Sequence, residues 1–157
     1  MKQDRFLTGI LIGIGVLVVV ALVVFFTRTD TQTYVAEDVP EGIVHNYVLA
    51  VLNKDYEKAY GYLADLEYKP TYDEFRRAFL NHEVNPDDAG VDIGESEIVK
   101  DIATVELGLV YNSRDPFSTG WTNYETAELL MQNGTWKLTS MPRYNFWGYD
   151  WYMEEVK

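Results

Sequence analysis

YETAELLMQNGTWKLTS, residues 124–140, reads as two strands joined by a tight turn. Asn133-Gly134 is the signal for that turn, because a two-residue type I′ hairpin needs positive φ at both central positions. Before the turn, Ala127, Leu129 and Met131 alternate onto one face. After it, Trp136 and Leu138 do the same. Working back toward the N-terminus, Ile102–Tyr111 alternates cleanly, with Ala103, Val105, Leu107, Leu109 and Tyr111 on one side. Val91–Val99 alternates irregularly, and the short break at Lys100-Asp101 predicts a hairpin between these two. Gly108 in mid-strand predicts a bulge or bend. Asn112–Asn123, with Pro116 and Gly120, is expected to be a loop. Residues 91–140 are therefore expected to be four strands in an antiparallel meander.

The segment before the strands has helical period. Pro40 suits a first turn, where its missing N–H costs nothing. Along Glu41–Lys54, Ile43, Val44, Tyr47, Val48, Ala50, Val51 and Leu52 share one broad arc, while Gly42, Asn46, Leu49 and Asn53 share the other side. Asp55 is placed to cap a second helix, Tyr56–Ala64. Thr71 and Glu74 have the spacing of a capping box, and Tyr72, Phe75, Ala78 and Phe79 fall on one face of a third helix. Asn85-Pro86 ends it. Three helices followed by four antiparallel strands predict an α+β fold with the helices packed on one face of a curved sheet.

Farther out lies FLTGILIGIGVLVVVALVVFF, residues 6–26, with no charged residue. At about 1.5 Å per residue such a helix spans ~31 Å, close to the ~30 Å hydrocarbon core. Its Leu, Ile, Val and Phe residues favour insertion by roughly 5–10 kcal/mol. It is longer than a cleavable signal core and lacks small residues at its end, so an uncleaved transmembrane helix is expected. Lys2 and Arg5 lie before it and only Arg28 lies close after it. That bias predicts a cytoplasmic N-terminus (1–5) and an extracytoplasmic C-terminal domain at the cell membrane. Gly9 and Gly13 form one G-x-x-x-G, which lets two helices pack closely, so a homodimer through this helix stands as an expectation. Residues 27–39, TRTDTQTYVAEDV, are Thr-rich and acidic and read as a linker reaching about 45 Å at most.

Composition bounds the chemistry. Of 13 basic and 25 acidic residues, Lys2, Arg5 and Asp4 precede the apolar run, leaving 11 and 24 behind it, a net of −13. That charge argues against nucleic acid, which rewards a basic surface. With no cysteine, disulfides, thiol catalysis and thiolate metal sites are excluded. There is no Gly-rich phosphate loop, G-x-S-x-G or H-E-x-x-H, and no cofactor or metal is expected. Asp87, Asp88, Asp92, Glu95 and Glu97 are rich in oxygen ligands but lack the spacing of a calcium loop.

The segment Asp55-Tyr56-Glu57-Lys58-Ala59-Tyr60…Leu63, with Thr71…Glu74-Phe75 and Gly134-Thr135-Trp136-Lys137-Leu138, resembles the nuclear-transport-factor-2-like superfamily (cystatin-like α+β cones). The narrower likeness is to its small bacterial membrane-anchored members. The resemblance covers residues 40–142 and implies a curved sheet wrapped by helices around an apolar pocket. The superfamily includes isomerases, dehydratases, hydrolases and many non-enzymatic modules, so fold leaves function open.

Two functional classes follow. One is a single-pass extracytoplasmic protein-interaction module, an accessory subunit of a membrane complex, without enzymatic activity. Its candidate surface is the aromatic tail YNFWGYDWY, with Tyr144, Phe146, Trp147, Tyr149, Trp151 and Tyr152. The same tail also suits a plug for the open side of the cone, or a membrane-interface segment. The other class is a binder of small apolar ligands, or an isomerase- or hydrolase-like enzyme, using a cone pocket built from His82, Tyr72, Phe75 and Phe79. His82 equally suits the end of its helix, where a cation meets the helix dipole. His45 reads as an exposed histidine.

Overall fold

The computed structural model describes residues 5–27, 32–111 and 120–154, with side chains of the first helix described from Thr8 to Val24. It divides into two compact units, 1–32 and 33–157. In the first unit, α1 runs Arg5–Thr27. Among the described residues no helix is long and apolar enough to cross a membrane. The transmembrane helix expected at 6–26 is therefore not supported among the described residues. Gly9 and Gly13 face open space.

The second unit contains α2 (Pro40–Leu52), α3 (Tyr56–Gly61), α4 (Tyr72–Leu80), a 3₁₀ turn at Pro86–Asp88, and β1 (Gly90–Val99), β2 (Ile102–Tyr111), β3 (Trp121–Gln132) and β4 (Thr135–Ser140). The strands form one antiparallel sheet in the order β1-β2-β3-β4, so the predicted α+β plan holds. Asn133 and Gly134 both have positive φ, as the hairpin requires. The inward residues Ala103, Val105, Leu107, Leu109, Ala127, Leu129 and Leu138 are buried under α2 residues Ile43, Val44, Tyr47 and Val51. Asp55 caps α3 through Lys58 N, and the Thr71–Glu74 capping box is complete.

Several elements depart from the sequence reading. The bulge expected at Gly108 lies in β1, between Ile93 and Ser96, where Gly94 packs against Glu106. Gly108 pairs regularly with Asp92 and Tyr124, and the Tyr124 ring lies beside it. The bulge also explains the irregular alternation of β1. Helix α3 stops at Gly61 because the chain is drawn to the edge of β4. Ala64 N donates to Leu138 O at 2.8 Å, and Leu138 N donates to Tyr62 O at 2.8 Å. The edge strand is thereby covered. Strand β3 begins at Trp121, earlier than Tyr124, since Trp121 stacks on its cross-strand partner Tyr111 at 4.3 Å. The rest of the expected loop, residues 112–119, lies outside the described residues.

The linker is shorter than read from sequence, since the packed unit begins at Thr33. The segment from Thr33 to Asp38 lies along the second face of α2. Asn46, fully buried, accepts from Val35 N at 2.8 Å and donates to Val35 O at 2.9 Å. Gly42 has no room for a Cβ because the Ala36 carbonyl rests on it. This covering strand of chain is why Gly42, Asn46 and Leu49, read as the polar side of the helix, are buried.

Candidate functional site

The aromatic tail is placed by hydrogen bonds to Asn85, Tyr68, Tyr47 and Ala64, and by one within the tail's own start. Asn85 N donates to Tyr144 O, Phe146 N to Pro142 O, and Tyr152 N to Tyr68 O. Tyr47, wholly buried on α2, donates its hydroxyl to Phe146 O at 2.6 Å. Burial pushes that phenol well above its ordinary pKa, so it stays protonated as a donor. Tyr152 donates to Ala64 O, and burial raises its pKa also.

These ties split the tail. Phe146, Trp147 and Trp151 are buried core residues. The Trp151 ring lies 4.9 Å from Phe75, 6.0 Å from Phe79 and 5.1 Å from Trp147. Gly148 sits so close to the Trp151 indole that any side chain there collides with it. Tyr152 is half-buried and stacks on Trp147. Tyr144 and Tyr149 point out, 63% and 61% exposed. Their rings stack at 6.4 Å, and the Arg143 guanidinium lies 4.9 Å from the Tyr149 ring. Of the six tail aromatics, only these two present most of their surface.

Beside Tyr149 opens a cleft of about 1100 Å³ between α4 and the tail. Trp151 and Ala78 line it, as do Tyr68, Arg77, Glu83 and Asp150. Tyr68 and Tyr144 both hold positive φ, a conformation that costs a non-glycine residue free energy and is kept only where the surroundings fix it. Lys69, on the same cleft, donates to Leu63 O and lies over Tyr60. Burial lowers its pKa, partly offset by Asp65.

The four residues expected to form a cone pocket do not converge on a cavity. Phe75 and Phe79 are core, covered by Trp151. Tyr72 is partly exposed and packs edge-on against Tyr60. His82 is exposed at the C′ position of α4 with φ 59°. Its N–H donates to Phe79 O, and Glu83 N donates to Ala78 O, which together make a Schellman ending. His45 is half-buried rather than exposed, and its Nε2 lies 3.1 Å from Thr33 O. Among the described residues no acidic or histidine cluster is arranged to hold a metal.

A second polar group was not singled out in the sequence. It lies on the inward face of the sheet, where β2 ends and β3 begins. Trp121 stacks on Tyr111, whose hydroxyl donates to Asn145 Oδ1 at 2.9 Å. Asn123 Nδ2 donates to Glu125 Oε1 at 2.7 Å. Register places Asn123 opposite Leu109 and Glu125 opposite Leu107, so both share the inward face of buried residues. The signal was the alternation of β3 itself, continued four residues back from Ala127 through Glu125 to Asn123.

No protein-family model matches the chain, and no curated protein matches it. Among solved structures, the chain is similar to a SEC-C motif containing protein from Rhodopseudomonas palustris at 16% identity and TM-score 0.48. That match covers 68% of this chain and 79% of the other. It is also similar to an uncharacterized cystatin fold protein from Novosphingobium aromaticivorans at 8% identity and TM-score 0.43, covering 66% and 95%.

Proposed function

We propose that this chain is a single-pass, membrane-anchored interaction module with a nuclear-transport-factor-2-like head outside the cytoplasm, serving as an accessory subunit of a membrane complex. The observation that carries the reading is the divided tail. Three of its aromatics belong to the core, while Tyr144 and Tyr149 stand out stacked on each other, with Arg143 over the Tyr149 ring and Tyr149 lining an open cleft. Exposed Tyr and Arg clusters are what partner proteins bind most strongly. Anchoring is supported by the uncharged run 6–26 within a helix of 23 residues. Leu11, Ile12, Leu17 and Val19 in that helix are each more than half exposed. Phe6, Leu7, Phe25 and Phe26 extend the run on both sides of the described side chains. The test is the Tyr144→Ala, Tyr149→Ala double variant, which should lose association with the complex while the head keeps its stability. Loss of stability, or unchanged association, contradicts the reading.

A second reading, a small-ligand binder on the inward face of the sheet, is favoured by Glu125 and Asn123 following the Tyr111–Trp121 stack on that face. It replaces the His82-centred pocket. A Glu125→Gln variant that binds small apolar probes no differently from the parent removes its best residue.

A further inference from the structure

The cleft between α4 and the tail has a buried apolar floor of Trp151, Ala78 and Pro70. Tyr68, Tyr149 and Met153 line it with exposed surface. Six charged side chains complete the lining, and their partners decide its sign. Lys69 is turned inward: its ammonium donates to Leu63 O, lies 4.6 Å from the Tyr60 ring centre and is 4.0 Å from Asp65, the one ion pair among the described residues. Glu74 accepts from Thr71 N and Oγ1 at 2.7 and 2.8 Å and has Arg77 three residues along α4. Glu83, Asp150 and Glu154 are exposed and have no cation in ion-pair range among the described residues. The cleft is therefore an aromatic trough with three uncompensated carboxylates, behind an apolar run whose following residues carry a net charge of −13. Tyrosine rings elsewhere in the head already take cations. Lys58 lies 3.2 Å from the Tyr34 ring centre, Lys69 sits over Tyr60, and Arg143 lies 4.9 Å from that of Tyr149. Tyr68, 47% exposed, has neither a cation nor a ring partner among the described residues.

We propose that this cleft receives an extended basic segment of the partner protein. Its cationic groups meet the Tyr68 ring and the carboxylates of Glu83, Asp150 and Glu154, and its alkyl stems lie on Trp151. Charge complementarity selects this occupant. An acidic segment is repelled, and an apolar one takes three carboxylates out of water without pairing them. Size selects a segment over a single small cation, since the cleft holds about 1100 Å³. Glu74 stands in the first turn of α4 and Glu83 three residues past its end, so that nine-residue wall runs about 13 Å, or about four residues of extended chain. The inference deepens the interaction reading, because Tyr149 belongs to both surfaces. It rests on that reading for the existence of a partner and on the cleft alone for the partner's chemistry.

The probe is the peptide Arg-Gly-Ser-Gly-Arg carrying a neutral fluorophore, titrated with the full chain in mild detergent and read by anisotropy. Glu-Gly-Ser-Gly-Glu is the control. The parent should bind the arginine peptide and not the glutamate one. The double variant Glu83→Gln, Asp150→Asn changes exposed charge but not shape, and should bind about tenfold more weakly. Tyr68→Leu keeps bulk but removes the ring face and should bind about threefold more weakly, while Tyr68→Phe binds as the parent does. The same chains are run on native gels from solubilised membranes, which reads the complex separately from the peptide. Absence of peptide binding by the parent, or equal binding by the parent and every variant, overturns the cleft as a site for basic segments. If the parent then still migrates in a large assembly, the interaction reading survives that loss. Cleft-dependent peptide binding by a parent that migrates alone supports the cleft and overturns the membrane complex.

Discussion

Replacing Trp151 by alanine tests whether the tail is structure or surface. The indole is 7% exposed and packs on Phe75, Phe79, Trp147 and Gly148. Burying about 200 Å² of aromatic surface at ~25 cal/mol/Å² is worth roughly 5 kcal/mol as an upper figure. The range for a buried Trp→Ala change is about 3–5 kcal/mol. Unfolding entropy of ~2.1 cal/mol/K per residue gives about 0.25 kcal/mol/K for a head of roughly 120 residues. A loss of ~4 kcal/mol then lowers Tm by about 15 °C. The assay is thermal unfolding of the full chain in mild detergent, followed by near-ultraviolet circular dichroism, which reports the packed aromatics. Tyr149→Ala is the matched control and should cost under ~0.5 kcal/mol, or about 2 °C. A Trp151→Ala shift below about 4 °C, or a Tyr149→Ala shift of similar size to that of Trp151→Ala, refutes the division of the tail into core and surface.

Four further outcomes follow from the same geometry. His82→Gly should raise stability by about 0.5–1 kcal/mol, because glycine adopts the positive φ of C′ without strain; a decrease measured by urea unfolding would mean the imidazole has a structural partner. Thr71→Ala should cost about 1 kcal/mol through loss of the α4 cap. Hydrogen bonds from the Thr71 backbone and side chain hold the Glu74 carboxyl below its ordinary 4.5. The stability it contributes is therefore present above that value and lost as pH falls through the lower folded value. A titration of stability between pH 6 and 3 should show this loss in the parent and not in Glu74→Gln. Tyr47 behaves oppositely: its folded pKa is raised by burial above the ordinary 10.0, so its contribution is full below pH 10 and lost as pH climbs through the folded value. Alkaline unfolding should begin above pH 10 and move when Tyr47 is replaced by Phe.

Much of the fold was legible because period and turn chemistry are local. Alternation assigned the inward residues of β2, β3 and β4, and Asn133-Gly134 marked the hairpin that joins β3 to β4. Thr71–Glu74 marked the start of α4 by spacing alone. What was not legible depends on neighbours far along the chain. Helix propensity carries Tyr56–Ala64 onward, but the open edge of β4 captures Tyr62–Ala64. A helical wheel puts Asn46 and Gly42 on a polar side, and only the Val35 strap makes that side an interior. The tail's six aromatics look equivalent in sequence. Which of them are core is decided by Phe75, Phe79 and Tyr47, more than 70 residues earlier for the first and about a hundred for the last. For the site, His82 and Phe75 shared a helix face, yet the left-handed turn at His82 carries it away from the core that Phe75 enters.

In the proposed function, the exposed pair Tyr144 and Tyr149 joins an anchored head to a larger complex. The most direct measurement is native-gel migration of the chain from mildly solubilised membranes, parent against the Tyr144→Ala, Tyr149→Ala variant. The parent should migrate in a large assembly, and the variant should return to its own mass with an unchanged Tm. Migration of both as the same lone species would contradict it.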